Sequence, residues 1–189
     1  MRIAITGTHS TGKSSFLDAL QQRLGAAGLT SARVDDLART ARDLGFPILR
    51  DHTFASTLWI MSDGLRRELE VLLRAPIVLI DRPPLDALGY LNAALETRKD
   101  SIAVSERAVL ENLVTAYTPV YDVLIMTELD PTIPLGPDRD DDEVFRRLAG
   151  DHIRQLVTNS EIPHLVLRSS NREETIETVL DRVSAQSMN

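Results

Sequence analysis

A chain of 189 residues, 43% of them hydrophobic, is long enough for one sizeable core and too short for two ordinary domains, so residues 1–189 are read as a single unit. The sequence has no cysteine, which excludes disulfides, thiolate catalysis and cysteine-based zinc sites and leaves the chemistry to oxygen and nitrogen groups. A net charge of -7 argues against indiscriminate binding to nucleic acid, and with neither a secretory pattern nor a membrane-length apolar run the expectation is a soluble, cytoplasmic protein.

In chain order, Arg2 to Thr6 reads as a first strand, and Lys13 to about Ala27 as a helix that Gly28 can close. A second strand, Ser31 to Asp35, leads into a helical stretch from Leu37 to Leu44 that Gly45 and Pro47 end. From Asp51, read as an N-cap, apolar residues recur at Phe54, Leu58, Met61, Leu65, Leu69 and Leu72, the spacing of one helix face packed on a core. Trp59 and Arg66 on that helix are lesser candidates for touching a substrate. Ile77 to Asp81 is an uninterrupted apolar run closed by an acid, as in a central parallel strand buried on both faces.

Helices are expected over Leu85 to Glu96 and Ser101 to Tyr117, with Thr118 and Pro119 breaking the second before a strand from Asp122 to Met126. Glu128 to Asp138 carries three prolines and a glycine, and reads as a lid or its hinge, the lid spanning about 128–147. A helix from about Asp141 to Asn159, a fifth strand from His164 to Leu167 and a last helix capped by Asn171 and reaching Val183 complete the chain. Five strands alternating with helices predict an α/β fold: a five-stranded parallel sheet sandwiched by helices, with its ligand crevice at the strands' C-terminal ends.

The segment Gly7-Thr8-His9-Ser10-Thr11-Gly12-Lys13-Ser14 lies between the first strand and the first helix and fits the Walker A phosphate loop. Backbone N–H groups of such a loop ring a phosphate, the helix N-terminus adds its positive end, and a lysine reaches the β- and γ-phosphates. Gly7, Thr8, His9, Ser10, Thr11, Gly12, Lys13, Ser14 and Ser15 are therefore the candidate nucleotide-binding residues. Lys13 and Lys99 are the only lysines among the 21 basic residues, and Lys13 stands where a compact ammonium is wanted. His9 occupies a free position of the motif and reads as a solvent-facing filler.

Asp81, at the end of its buried strand, falls where a carboxylate meets the Mg²⁺ held by the hydroxyl of Ser14. Asp35 and Asp36 lie on the same edge one strand away, where a carboxylate can take the proton of an attacking hydroxyl; a helix N-cap is the competing role, and Asp36 is preferred to Asp35. Arg139, Arg146 and Arg147 follow the proline-rich loop, as guanidiniums that close on a transferring phosphoryl group do, and Arg139 is the preferred lid residue. Arg168 to Asn171, after the fifth strand, falls by topology near the nucleotide base.

These motifs together resemble the P-loop small-molecule kinases, in particular the nicotinamide riboside kinase-like group often described only as a generic AAA-type ATPase domain. The resemblance rests on the loop at Gly7 to Ser14, on Asp36-Leu37-Ala38-Arg39, on Asp81-Arg82-Pro83-Pro84-Leu85-Asp86 and on Asp138-Arg139, and spans most of the chain. It implies Asp36 as the base, Arg39 and Arg82 as phosphate or substrate contacts and Asp86 as a substrate ligand. Asp36 stands where glutamate is common in that group, and Pro83 where serine is common.

The sequence thus points to an ATP- and Mg²⁺-dependent kinase acting on a hydroxyl of a nucleoside-like small molecule, monomeric or homodimeric and off the membrane. In that scheme Lys13, Asp36 and Arg139 are catalytic. Two rival readings are a kinase of a hydroxylated base within DNA, which requires a basic channel to the site, and a P-loop switch or assembly factor with no phosphoryl acceptor.

Overall fold

The computed structural model describes residues 1–128 and 142–187. Among these, five strands form one all-parallel sheet in the order β2-β3-β1-β4-β5: β1 Arg2–Thr6, β2 Ser31–Val34, β3 Ile77–Asp81, β4 Val123–Thr127 and β5 His164–Leu167. Parallel pairing requires crossovers. They are made by α1 Lys13–Ala26, α2 Ala38–Asp43, α3 Phe54–Leu72, α4 Pro84–Arg98, α5 Val104–Tyr117 and α6 Glu143–Asn159, with α7 Arg172–Ser187 closing the chain.

The strand sequences explain which positions are central. Every residue of β3 and of β4 is buried, as their unbroken apolar runs require, whereas the edge strands β2 and β5 are largely half-buried. The core divides between the two faces of the sheet. On one face Phe16, Leu17 and Leu20 of α1 and Ile176, Val179 and Val183 of α7 pack on Ile3, Ile5, Leu79 and Ile125. On the other, α3, α4, α5 and α6 cover Ala4, Val78, Ile80 and Leu124. Gly89 lets α4 and α6 meet closely, since a Cβ there would stand 2.4 Å from Ile153 Cγ1.

Register gathers the chemistry at one edge. Ile5 pairs with Asp81, Thr6 with Met126 and Val34 with Ile80, so the segments that follow β1, β2, β3 and β4 emerge side by side at the sheet's C-terminal edge.

Several element ends differ from expectation for local reasons. Thr53, rather than Asp51, caps α3: its Oγ1 accepts from Ser56 N at 3.3 Å while Ser56 Oγ accepts from Thr53 N at 2.9 Å, and Asp51 ends a short 3₁₀ turn. Glu106 Oε2 accepts from Ala103 N at 3.0 Å, which starts α5 at Val104 instead of Ser101. Asp142 caps α6 by accepting from Phe145 N at 2.9 Å. Asn171 ties the turn before α7, accepting from Arg168 N at 2.8 Å and donating to Val166 O at 2.9 Å, and α7 runs on past Val183.

On α3 the expected stripe packs on the core at Phe54, Leu58, Met61 and Leu72. Leu69 is 54% exposed, and the helix buries Ser56, Thr57, Met61 and Glu68, so the face turned inward is partly polar. Trp59 stacks on Phe46 at 5.2 Å, and Arg66 lies on the surface, paired with Asp63 and Glu70.

Candidate active site

The phosphate loop owes its shape to residues that tolerate left-handed backbone. Gly7, Ser10 and Gly12 have φ of +132°, +55° and +80°. Gly7 also lacks room for a side chain, because a Cβ would stand 2.1 Å from Thr127 Oγ1. No side chain caps α1 at Gly12, so the first N–H groups of that helix face the loop uncapped, as an anion-binding helix end requires. Ser10 Oγ is buried without a hydrogen-bond partner. Thr11 Oγ1 donates to Thr8 O at 3.0 Å and meets Thr127 Oγ1 at 2.7 Å, which fixes the loop against β4. Ser15 is exposed, and its carbonyl accepts from Arg172 Nη2 at 2.6 Å.

Lys13 is 4% exposed and its Nζ donates to Thr8 O and, at 3.2 Å, to Thr11 Oγ1. Burial, reinforced by the positive charge of Arg82, pushes the Lys13 ammonium well below its usual range. Polyphosphate beside it would restore the charge, so binding there is coupled to proton uptake.

Asp81 is buried to 3% exposure. Its Oδ2 accepts from Ser14 Oγ and from Arg33 Nη2, each at 3.0 Å, while Oδ1 is buried with no hydrogen bond. A hard divalent cation fits this pair of oxygen groups. Among the described residues no three His, Cys, Asp or Glu side chains cluster as a cation cage.

Beside the loop opens a cleft of ≈ 330 Å³, within the size range of small-molecule sites, lined on one side by the ends of β2 and β3 and on the other by α2, α3 and α4. Asp36 stands in its wall: Oδ2 accepts from Arg82 Nε at 2.8 Å and Oδ1 from Ala38 N at 2.9 Å, so the carboxylate both starts α2 and faces the cleft. Asp35 has a side chain 74% exposed and pairs with Arg33 Nε at 2.6 Å. Arg39 lies exposed on the rim and, among the described residues, has neither a hydrogen bond nor an ion pair.

Arg82 holds a left-handed φ of +69°, a conformation that costs a non-glycine residue on the order of 1 kcal/mol or more and must be imposed by its surroundings. From there Nη1 donates to Asp86 Oδ2 and Gly7 O, both at 3.2 Å, and the guanidinium carbon lies 5.3 Å from the centre of the Tyr90 ring. Asp86 is 2% exposed and accepts in addition from Thr6 Oγ1 and from Gly7 N at 3.3 Å. Its carboxylate therefore anchors the phosphate loop from below, and the residue also lines the cleft beside it.

His9 departs from expectation. It is 2% exposed, because Tyr90 of α4 projects beneath the loop: Tyr90 Oη accepts from His9 N at 2.9 Å and lies 3.0 Å from Nδ1. His52 lies 5.8 Å from the same ring, and burial pushes its imidazole down to about 4, leaving it neutral with Nδ1 donating to Leu49 O at 3.0 Å. Tyr90, His52 and Thr127 carry no motif and were not expected at the site.

Arg139 lies outside the described residues, as do residues 129–141 of the expected lid. Arg146, at the start of α6, is 5% exposed, and its Nε and Nη1 are buried without a hydrogen-bond partner. Its carbonyl accepts from Thr8 Oγ1 at 3.0 Å, which places the backbone at the start of α6 against the phosphate loop. Arg147 is exposed, and Arg168 pairs on the surface with Glu128 Oε2 at 2.7 Å.

A family model described as an AAA domain matches residues 2–174. The chain belongs to the AAA domain family. Among solved structures it resembles the deoxyadenosine kinase of M. mycoides with products dCMP and a flexible dCDP bound, at 13% identity and a TM-score of 0.64 over 98% of this chain and 100% of that one. The same enzyme with bound dATP aligns at 11% identity and a TM-score of 0.62, covering 97% and 100% of the two chains. The NadR protein in complex with NR gives 13% identity and a TM-score of 0.69 over 96% of this chain and 51% of that one. No curated protein matches the sequence. At identities this low the likeness shows the fold alone, a P-loop α/β fold with a five-stranded parallel sheet between helices, as the strand and helix pattern predicts. Among the described residues no helix is long and apolar enough to cross a membrane.

Proposed function

We propose that this protein is an ATP- and Mg²⁺-dependent phosphotransferase that moves the γ-phosphoryl group to a hydroxyl of a nucleoside-like small molecule. The observation that carries the reading is the Asp36–Arg82 pair, 2.8 Å apart in the wall of a cleft that opens beside the phosphate loop.

Lys13 and the loop amides hold the donor phosphates, with the uncapped start of α1 behind them. Ser14 and Asp81 would hold the cation, which when bound neutralises charge on the phosphates. Asp36 accepts the proton of the acceptor hydroxyl as that oxygen bonds to the γ-phosphorus and the bond to the β-phosphate bridging oxygen breaks, leaving ADP. Arg82 and the backbone N–H of Ala38 fix the orientation of the carboxylate, which favours an in-line approach. Arg146 takes the part of stabilising charge on the transferring group, on the strength of its buried and unpaired guanidinium atoms.

Two features favour a small acceptor over a base within DNA. Among the described residues the cleft carries Arg33, Arg39, Arg42 and Arg82 beside Asp35, Asp36, Asp81, Asp86 and Glu68, so its lining is mixed in charge rather than a basic channel, and the volume suits one nucleoside. The deciding experiment is ATP turnover with and without a panel of nucleosides, read by mass spectrometry. The expected result is a phosphorylated nucleoside, and hydrolysis indifferent to every acceptor would overturn the proposal.

A further inference from the structure

The cleft continues past Asp36 along α3, where Met61, Gly64 and Glu68 line it. Gly64 stands one turn before Glu68 on the same helix face, and both line the cleft. Glu68 is 1% exposed. Its Oε1 accepts from Tyr121 Oη at 3.1 Å, but Oε2 is buried and takes no hydrogen bond. A buried carboxyl with one oxygen unsatisfied is costly, and helix packing does not require it.

We propose that Glu68 determines acceptor specificity by taking a hydrogen bond from an N–H group at the end of the acceptor remote from the phosphorylated hydroxyl. The ligand class is therefore an amino- or carboxamide-bearing heterocycle. The inference rests on the reading of this cleft as the acceptor site.

The groups facing Glu68 are Tyr121 ahead of β4, Tyr117 at the end of α5 and Arg2 of β1. Burial pushes the carboxyl up to about 7, against the hydrogen bond from Tyr121 and the charge of Arg2. Above that pH the carboxylate accepts from an amino group. Below it Oε2 carries a proton and donates to a carbonyl instead, so discrimination in favour of amino acceptors rises with pH. Tyr117 Oη is also buried without a partner, and a water bridging it to Glu68 Oε2 is the competing account.

The test uses acceptor pairs differing only in that group: cytidine against uridine, and adenosine against inosine. Each is titrated calorimetrically and assayed for kcat and KM with ATP, in the wild type and in Glu68→Gln. The wild type should favour the amino member of at least one pair by roughly ten- to a hundredfold, the worth of a hydrogen bond to a charged group. Glu68→Gln should narrow that preference at least tenfold, through KM. Selective binding without phosphorylation would overturn the kinase reading and support the role of Glu68. Equal preferences in both proteins would overturn that role and favour the bridging water. Should Glu68→Gln not fold, the wild type decides: its preference rises between pH 6 and pH 8, and a flat ratio overturns the proposal.

Discussion

The two halves of the candidate active site are built on different principles. The phosphate loop works through backbone: left-handed residues at Gly7, Ser10 and Gly12, an uncapped helix start and one lysine, all within a few residues of each other. The cleft works through side chains, with Asp36 from the end of β2, Glu68 from α3, Arg82 after β3 and Tyr90 from α4. The first kind of site recognises what all polyphosphates share. The second kind recognises what distinguishes one acceptor from another, and only converging side chains supply that.

This contrast can be broken at either half. The largest effect is expected from Lys13→Ala, which removes the ammonium that phosphates require and should abolish transfer and ATP binding together. Circular dichroism should show the fold retained; turnover comparable with the wild type would refute the phosphate role. Asp36→Asn should lower kcat by about 10²- to 10⁴-fold, the usual worth of a general base, with ATP affinity kept. Equal loss of both in isothermal titration and steady-state assays would make Asp36 a helix cap and nothing more.

Gly7→Ala sharpens the comparison from the side of stability. The added methyl would stand 2.1 Å from Thr127 Oγ1 at a φ of +132°, so urea denaturation should show a loss of roughly 1–3 kcal/mol, the cost of a strained backbone, together with weakened nucleotide binding. An unchanged midpoint would mean that the loop and β4 separate freely.

The same contrast explains what was legible in the sequence. The strands announced themselves as apolar runs, and the phosphate loop is a contiguous motif whose flanking strand and helix confirm its register. Asp81 followed from its place at the end of such a run. The cleft beside the phosphate loop left weaker traces. On α3 the apolar spacing marks the core-packed Phe54, Leu58, Met61 and Leu72, yet it does not disclose that Met61, Gly64 and Glu68 line the cleft or that Leu69 stays exposed. Periodicity records where apolar residues lie, and a helix that faces a polar cleft hides its functional side from that signal. The burial of His9 is hidden from the sequence for a related reason. A free position in a motif is free with respect to phosphate, but its burial depends on Tyr90, far along the chain.

On the proposed kinase reading, Tyr90 has a consequence for how ATP and an acceptor would be loaded. Its hydroxyl receives the His9 N–H at 2.9 Å on the donor side and approaches Arg82 Nη1 at 3.4 Å on the acceptor side, and one phenol oxygen has few lone pairs to share. A ligand that draws Arg82 or the loop away from it changes what the other can keep. Thermodynamic reciprocity then requires that whatever factor ATP applies to acceptor affinity, the acceptor applies to ATP. The order in which they arrive is a matter of rates alone.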